Sequence, residues 1–159
     1  MEIIPYDPVY AEGLRPLLED FERNTAKEKF IEPEVAMALS DLERGVDRAL
    51  LAVDQAQVIG FLVGHYYRNQ ADKFRVPRTL EIAMVYVDQH YRKRGIGRKL
   101  TSQLIDDVSL REQLKVLKII SCIEDCNKPS IALHKSMGFR SSGSYSDGGR
   151  NYLVLRKSL

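Results

Sequence analysis

The sequence of 159 residues predicts a mixed α/β fold, in which helices flank a central, partly antiparallel sheet. Short runs rich in Val, Ile and Leu recur along the chain and predict strands, and segments with apolar residues three and four positions apart predict helices. Because helices separate the later strands, we expect those strands to pair in parallel. The expected order is βααβββαβαββ, with about seven strands and four helices in one domain over residues 1–159.

The first third of the chain predicts one strand and two helices. The strand lies at 2–5. A helix is expected over 8–24, because its leucines share one side, and Pro16 is expected to bend it. A second helix is expected over 33–45, because a proline lies near its start and a glycine at its end.

The rest of the chain predicts strands joined by turns and helices. Residues 67–79 are polar, aromatic and basic, and they predict a loop. The other expected elements are strands 48–54, 57–66 and 80–88, helix 95–112, strand 116–123, helix 129–137, and strands 139–145 and 151–157.

The most informative segment is the basic turn Arg92-Lys93-Arg94-Gly95-Ile96-Gly97, between the strand over 80–88 and the helix after it. Two glycines let the main chain turn tightly and leave its amide groups open to a ligand. A helix that starts there directs free amides and the positive end of its dipole at the turn. The turn therefore predicts a diphosphate site. The alternative is a strand–turn–helix joint whose basic side chains are only solvated.

Several classes of protein and site are excluded or disfavoured. The turn lacks the G-x-x-x-x-G-K-[ST] spacing of a P-loop, and it lacks the third glycine and the later acidic residue of a dinucleotide fingerprint. No apolar run approaches the ~20 residues of a membrane span. The N-terminus shows no basic region followed by an apolar core, so a cytoplasmic location is expected.

The two cysteines, Cys122 and Cys126, are separated by three residues. A redox motif has two intervening residues, and a metal site needs further ligands, for which the three histidines have no suitable spacing. We therefore expect two reduced structural thiols and no metal.

Charge divides the chain into an acidic and a basic part. Residues 1–91 hold ten Lys and Arg against sixteen Asp and Glu, whereas residues 92–159 hold fourteen against six. This asymmetry suits an anionic ligand held by the second part and a cationic one approached by the first. Chance distribution over solvated faces is the alternative.

Two motifs resemble those of the GNAT superfamily of N-acetyltransferases. Arg92-x-x-Gly95-x-Gly97 is similar to the family's Q/R-x-x-G-x-G/A signature between the fourth strand and third helix. The segment 127–139 is similar to its second signature, an Asn followed by a short helix that ends in Gly-Phe. The order of elements agrees over nearly the whole chain, although Gln89 stands where the family frequently has a proline.

The resemblance implies that the protein binds acetyl-CoA and passes the acetyl group to an amine, without a metal. The diphosphate would lie on the amides of the basic turn, and the pantetheine arm would lie along strand 80–88 like an added strand. A main-chain amide of that strand would polarise the thioester carbonyl. The residues expected to bind acetyl-CoA are Val85, Tyr86, Val87, Arg92, Lys93, Arg94, Gly95, Ile96, Gly97, Arg98, Asn127 and Ser130.

Glu81 is the candidate catalytic base. A lysine-like amine has a pKa of about 10.4 and must lose a proton before it attacks a thioester. Glu81 lies eleven residues before Arg92, and some family members carry a base glutamate at that separation. Strand alternation puts Glu81, Ala83, Val85 and Val87 on one face. The alternative is a solvated glutamate at the start of a strand.

His134 is the candidate donor of a proton to the leaving thiol. It stands where many family members have a tyrosine, four residues before the glycine of Gly-Phe. The alternative is a favourable interaction with the C-terminal end of a short helix. Tyr145 and Tyr152 are further possible donors, and Asn127 also suits a helix cap.

The acceptor is expected to contact the loop over 65–79 and the stretch 24–32, and acidic residues near them favour a cationic amine. These residues are Glu19, Asp20, Glu22, Glu28, Glu32 and Glu34. The resemblance leaves open a small-molecule or a protein amine. It is also compatible with a homodimer, because family members are often dimers, but it does not decide the oligomeric state. A non-catalytic acyl-CoA sensor is an alternative function, since the tyrosine is missing. A nucleic-acid-binding module is the third candidate function. No aromatic residues alternate with the basic residues of the turn, so no nucleic-acid partner is expected. No membrane partner is expected either.

Overall fold

The computed structural model describes residues 1–25, 39, 40, 42, 48–68, 75–110 and 116–159. The strands are β1 (Glu2–Pro5), β2 (Arg48–Asp54), β3 (Gln57–Arg68), β4 (Arg75–Val87), β5 (Lys118–Glu124), β6 (Arg140–Asp147) and β7 (Arg150–Ser158). The helices are α1 (Ala11–Thr25), α2 (Ile96–Leu110) and α3 (Lys128–Ser136), with short 3-10 helices at Pro8–Tyr10 and Gln89–Tyr91.

The seven strands form one mixed sheet in the order β1-β2-β3-β4-β5-β7-β6. Strands β4 and β5 pair in parallel, from Thr79 opposite Lys118 to Glu81 opposite Ile120. Strand β1 pairs antiparallel with β2, and β7 pairs antiparallel with both β5 and β6. The parallel pair is joined by a crossover that contains α2, as the sequence predicts. The mixed α/β class is therefore confirmed.

The chain divides into two compact units. The first comprises residues 1–63 and 84–101. Its core is formed by leucines of α1 and by apolar residues of β2 and β3. Phe21, Phe61 and Tyr86 meet there with ring centroids 6.0 to 6.1 Å apart. Burial of large aromatic side chains contributes strongly to stability, so this cluster anchors β4 to α1 within the unit.

The second unit comprises residues 64–83 and 102–159. Its fully buried residues include Leu80, Leu104, Ile119 and Leu155, which come from β4, α2, β5 and β7. Beyond the β4–β5 ladder, the hydroxyl of Ser121 donates to the carbonyl oxygen of Ile82 at 3.5 Å. A buried side chain therefore links the two strands just beyond their paired residues.

Most element boundaries agree with the sequence prediction to within a few residues, but the loop over 67–79 was wrong in part. Residues 67, 68 and 75–79 belong to β3 and β4. Their polar and basic character resembles a loop, yet Thr79 is 1% exposed and pairs with β5. Arg78 adopts a left-handed φ of 58° beside it, so this part of the strand is irregular. Residues 69–74 lie outside the described part.

The helix expected over 33–45 lies largely outside the described residues, although Leu39, Ser40 and Leu42 are helical. Pro16 lies inside α1, which continues through it to Thr25. Among the described ranges, no helix has the length and apolar character needed to cross a membrane.

Gly60 on β3 is required by its distance from β4. A Cβ atom at this position would lie 2.9 Å from the carbonyl oxygen of Tyr86, closer than side chains normally come to the main chain. Any other residue would force the strands apart at the end of β4, where the basic turn begins.

Candidate active site

The basic turn in the first unit has the main-chain shape of an anion site. Lys93 and Gly95 both adopt left-handed conformations, with φ of 62° and 76°. Gly95 accepts the first hydrogen bond of α2, from the amide of Lys99 at 3.0 Å. The amides of Ile96 and Gly97 therefore have no acceptor within the helix, as at any helix start. A Cβ at Gly95 would have no atom within 4 Å, so the space beside it is open.

The basic side chains of the turn differ in their surroundings. Those of Lys93, Arg98 and Lys99 are exposed. Arg94 donates to the carbonyl oxygen of His90 at 3.2 Å and lies over the ring of Tyr91. Their charge adds to the positive end of the helix dipole, and both favour an anion at the turn.

Arg92 has a different environment from the cations beside it. Its Nε atom donates to the carbonyl oxygen of Val87 at 2.9 Å, and a terminal nitrogen donates to the hydroxyl of Tyr86 at 3.0 Å. Tyr86 in turn donates to the carboxylate of Asp20. The Arg92 guanidinium therefore links the turn to β4 through these hydrogen bonds.

Near the end of β4, alternate main-chain groups point away from β3 and do not bond to it. The amide of Asp88 donates to the carbonyl oxygen of Ile59 on β3 at 2.9 Å. Because main-chain groups alternate in direction along a strand, those of Val85 and Val87 point away from β3. Tyr86, expected from the sequence among the cofactor residues, directs its carbonyl towards Gly60 and its ring into the core.

In the second unit, Asn127 and Ser130 form the start of α3. The side chain of Asn127 accepts a hydrogen bond from the amide of Ser130 at 3.2 Å. Pro129 follows in the first turn, as is typical of helix starts. The capping role of Asn127 that the sequence allowed is therefore present.

His134 is 1% exposed on α3. Its Nδ1 donates to the carbonyl oxygen of Ser130 at 2.9 Å, and its ring meets Phe139 edge to face at 5.1 Å. Its Nε2 is buried and has no hydrogen-bond partner within the described residues. Burial lowers the pKa of His134 below its usual value, although the Ser130 carbonyl acts in the opposite direction. The imidazole is therefore neutral near pH 7, with Nε2 as an acceptor.

Glu81, Cys122 and Tyr145 lie on one face of the sheet in the second unit. Glu81 is opposite Ile120, two residues before Cys122 on β5. Tyr145 is opposite Tyr152, which is opposite Glu124, two residues after Cys122. Because side chains two positions apart share a face, the three strands bring these groups together.

The Glu81 carboxylate lies between two proton-bearing side chains in this cluster. An oxygen lies 3.3 Å from Nε2 of His65 on β3, and the Cys122 thiol lies on β5, on the other side of β4. Tyr145 stacks on Tyr152 with ring centroids 5.1 Å apart. Burial and the Glu81 charge raise the pKa of Cys122 to about 11, and burial and Cys122 raise the pKa of Tyr145.

The sequence predicts other roles for two members of this cluster. It places His65 in the acceptor loop, and it predicts a structural thiol at Cys122. The register of β4 and β5 reveals that Cys122 belongs to the cluster. Glu81 is opposite Ile120, and Cys122 lies two residues beyond Ile120 on the same face. No group of three or more potential metal ligands occurs within the described ranges.

The family model described as the acetyltransferase (GNAT) family matches residues 12–139. The chain belongs to this family. The matched range of this GNAT chain includes both the basic turn and α3. A comparison with curated proteins found no match.

Solved structures agree with the GNAT fold. A ribosomal-protein-alanine N-acetyltransferase from Brucella melitensis is 27% identical, with a TM-score of 0.79 and coverage of 100% of both chains. The yncA protein of Salmonella typhimurium, determined with its cofactor acetyl-CoA, is 21% identical, with a TM-score of 0.77 and coverage of 99% and 93%. Arabidopsis thaliana NAA60, in complex with a bisubstrate analogue, is 20% identical, with a TM-score of 0.75 and coverage of 99% and 98%.

The basic turn of this GNAT chain fits the diphosphate of acetyl-CoA. Its left-handed residues open the main chain, its helix start provides amide donors, and its exposed lysines provide positive charge. Among the described residues, β4 pairs with β5 from Thr79 to Glu81, and beyond these the main-chain groups of Val85 point away from β3, where an extended arm could pair with them. The turn therefore offers hydrogen-bond donors and positive charge to phosphate groups, and β4 offers main-chain groups to the amides of the pantetheine arm.

Proposed function

We propose that the protein is an acetyl-CoA-dependent N-acetyltransferase that acts on a primary amine. The main support is the basic turn, in which the left-handed Lys93 and Gly95 precede the free amides of α2 in a chain of the GNAT family. The 27% identical Brucella protein is named for an amine acceptor, which supports an amine here.

When bound, acetyl-CoA supplies an acetyl group activated as a thioester. The amides of Gly95, Ile96 and Gly97 would hold its diphosphate, with Lys93 and Lys99 contributing charge. The amide and carbonyl of Val85 would pair with the pantetheine arm as an added strand does. Asn127 and Ser130 are proposed as further contacts.

Glu81 is the proposed base for the acceptor. Its side chain is 18% exposed, so it is partly shielded yet open to a ligand, and Ala83 on the same strand is exposed. A carboxylate can accept the proton of an ammonium group and hold the amine by the same contact. Its charge also favours a cationic acceptor.

The other acidic residues give less support to a cationic acceptor. Glu19 lies 3.6 Å from Arg23, and Asp20 accepts from Tyr86. Glu28, Glu32 and Glu34 lie outside the described residues, as does most of the stretch 24–32. Preference for a cation therefore rests on Glu81 in this proposal.

Proton donation by His134, which is predicted from the sequence, is not part of this proposal. Its Nδ1 proton is held by Ser130, so donation would need an imidazolium with a proton on Nε2. Burial disfavours that charged form. We propose that water protonates the leaving thiolate, and we expect His134→Gln to keep much of the turnover that Glu81→Gln loses.

The proposed function is tested first by binding. Acetyl-CoA at a hundred times its Kd should stabilise the fold by about 2.7 kcal/mol in thermal unfolding. The acetyl thioester of N-acetylcysteamine, which lacks the diphosphate, is the control and should give a much smaller shift at equal concentration.

The second test is turnover over a panel of small-molecule amines and peptides with free N-termini. We expect acetylation of at least one amine, with kcat lowered about a hundredfold or more in Glu81→Gln. Binding of acetyl-CoA without turnover of any amine would instead support the acyl-CoA sensor. Absence of binding would contradict both functions.

A further inference from the structure

His65 is the partner of Glu81 that the proposed function does not use. Its Nε2 lies 3.3 Å from the Glu81 carboxylate, and 37% of its side chain is exposed. It lies on β3, next to Gly64, whose own Cβ position would face the Glu81 main chain and Leu104. The pair thus joins neighbouring strands and has one member open to water.

Among the described residues, the titratable groups around Glu81 are His65 on β3, Cys122 on β5, and Tyr145 and Tyr152 on β6 and β7. A proton taken by Glu81 must leave before another amine can be deprotonated. Cys122 and Tyr145 hold their own protons, because burial raises the pKa of each. Of these groups, only an imidazole readily gains and loses a proton near neutral pH.

We propose that His65 takes the acceptor's proton from Glu81 and passes it to water, so that the two residues act as a carboxylate–imidazole relay. In the first step an ammonium group gives a proton to the Glu81 carboxylate, leaving a neutral amine and a carboxylic acid. In the second step the acid gives this proton to Nε2 of neutral His65, whose own proton is then on Nδ1. The imidazolium releases its Nδ1 proton to solvent. The neutral ring regains its starting tautomer by proton exchange with water, so both side chains return to their starting states.

His65 acts through Glu81 in this proposal, so it is a positioning and relay residue that does not contact the amine. Cys122 cannot take the place of His65. Its thiol keeps its own proton and cannot accept one from the carboxylic acid, so the proton leaves through His65. The inference rests on the proposed acetyl transfer.

The first experiment compares His65→Gln with His65→Ala. Glutamine keeps a hydrogen bond to Glu81 but cannot carry the proton. We expect both variants to lower kcat about tenfold or more, with the KM for acetyl-CoA changed less than about twofold. Added imidazole should restore kcat of His65→Ala in proportion to its concentration and leave the wild type unchanged.

His90→Ala is the matched control, because His90 is an exposed histidine outside the proposed machinery. It should keep wild-type kcat. If His65→Gln retains wild-type kcat, or if imidazole fails to restore activity to a folded His65→Ala, the relay is wrong.

A second readout does not depend on turnover. In two-dimensional NMR of the free protein, Glu81→Gln should shift the ring signals of His65, whereas Glu124→Gln should not. Unchanged His65 signals in Glu81→Gln would show that the pair is absent in solution and would overturn the inference.

Failure of the relay differs from failure of the proposed function. If the wild type acetylates no amine although its His65 signals respond to Glu81→Gln, the proposed function fails. If the wild type is active and His65→Gln equals it, the relay alone fails.

Discussion

The Nε atom of Arg92 donates a hydrogen bond to the carbonyl oxygen of Val87, so the first residue of the basic turn binds the last residue of β4. The guanidinium also lies over the ring of Tyr86, 5.2 Å from its centroid. Although the sequence groups Arg92 with the cofactor ligands, these contacts hold the turn against the strand. We therefore expect Arg92 to affect the binding of acetyl-CoA indirectly, by holding the main chain of the turn in its conformation.

Arg92→Ala and Tyr86→Phe should each lower the free energy of unfolding by about 1 kcal/mol or more, because each removes two hydrogen bonds of the same network, one of them shared. The double variant should lose clearly less than the sum, since the two side chains contact each other. Denaturant unfolding measures these values, with the exposed Arg140→Ala as a control. Fully additive losses would contradict the network.

Gly95→Ala should weaken both the fold and the binding of acetyl-CoA. No neighbour obstructs a Cβ here, so the cost comes from the left-handed φ, at about 1 kcal/mol. Unfolding and calorimetry measure the two effects. Lys93→Gly is the matched comparison: it relieves the same backbone conformation and removes a charge, so it should keep stability while lowering affinity. A fully stable Gly95→Ala with unchanged affinity would contradict the assigned turn.

The Cys122 thiol should react slowly with iodoacetamide at about pH 8, because only the thiolate reacts and its pKa is raised. A Cys126→Ser background makes Cys122 the sole cysteine. Adding Glu81→Gln should speed alkylation about threefold or more, since removing the carboxylate lowers the thiol pKa. Mass spectrometry of timed samples gives the rates. An equal or slower rate would show that Glu81 does not act on Cys122.

His134 should make the fold sensitive to mild acid. Burial makes the pKa of His134 lower in the folded state than in the unfolded chain. Below about pH 6.5 the unfolded chain therefore takes up a proton that the folded state does not. Stability is then retained above that pH and is lost as the pH falls below it. His134→Gln should lose less stability than the wild type between about pH 7.5 and about pH 5.5, as measured by denaturant unfolding. An identical loss would place the acid sensitivity elsewhere.

The local pattern of the sequence was sufficient for most elements of the fold. The apolar run 48–54 and the helical spacing after Gly95 predicted β2 and α2 closely, because β2 buries four consecutive residues, Leu50 to Val53, and α2 buries one side. The prediction failed at 75–79, a polar and irregular segment that belongs to β4 and reaches its pairing with β5 at Thr79. That pairing is a long-range contact with no signal in the segment itself.

The basic turn and Glu81 could be identified from the sequence because their neighbours along the chain define them. The partners of Glu81 could not, since His65, Cys122 and Tyr145 come from three other strands. Only the strand order and register place them around one carboxylate.

The sequence by itself determined the α/β class, the family resemblance and a turn built to bind an anion, because these depend on spacing within short segments. The tertiary structure alone decided that Arg92 binds the end of β4, that His134 is buried and neutral, and that Glu81 lies between an imidazole and a thiol. Those properties depend on which side chains desolvate or contact a group, and burial and contact are set by distant parts of the chain.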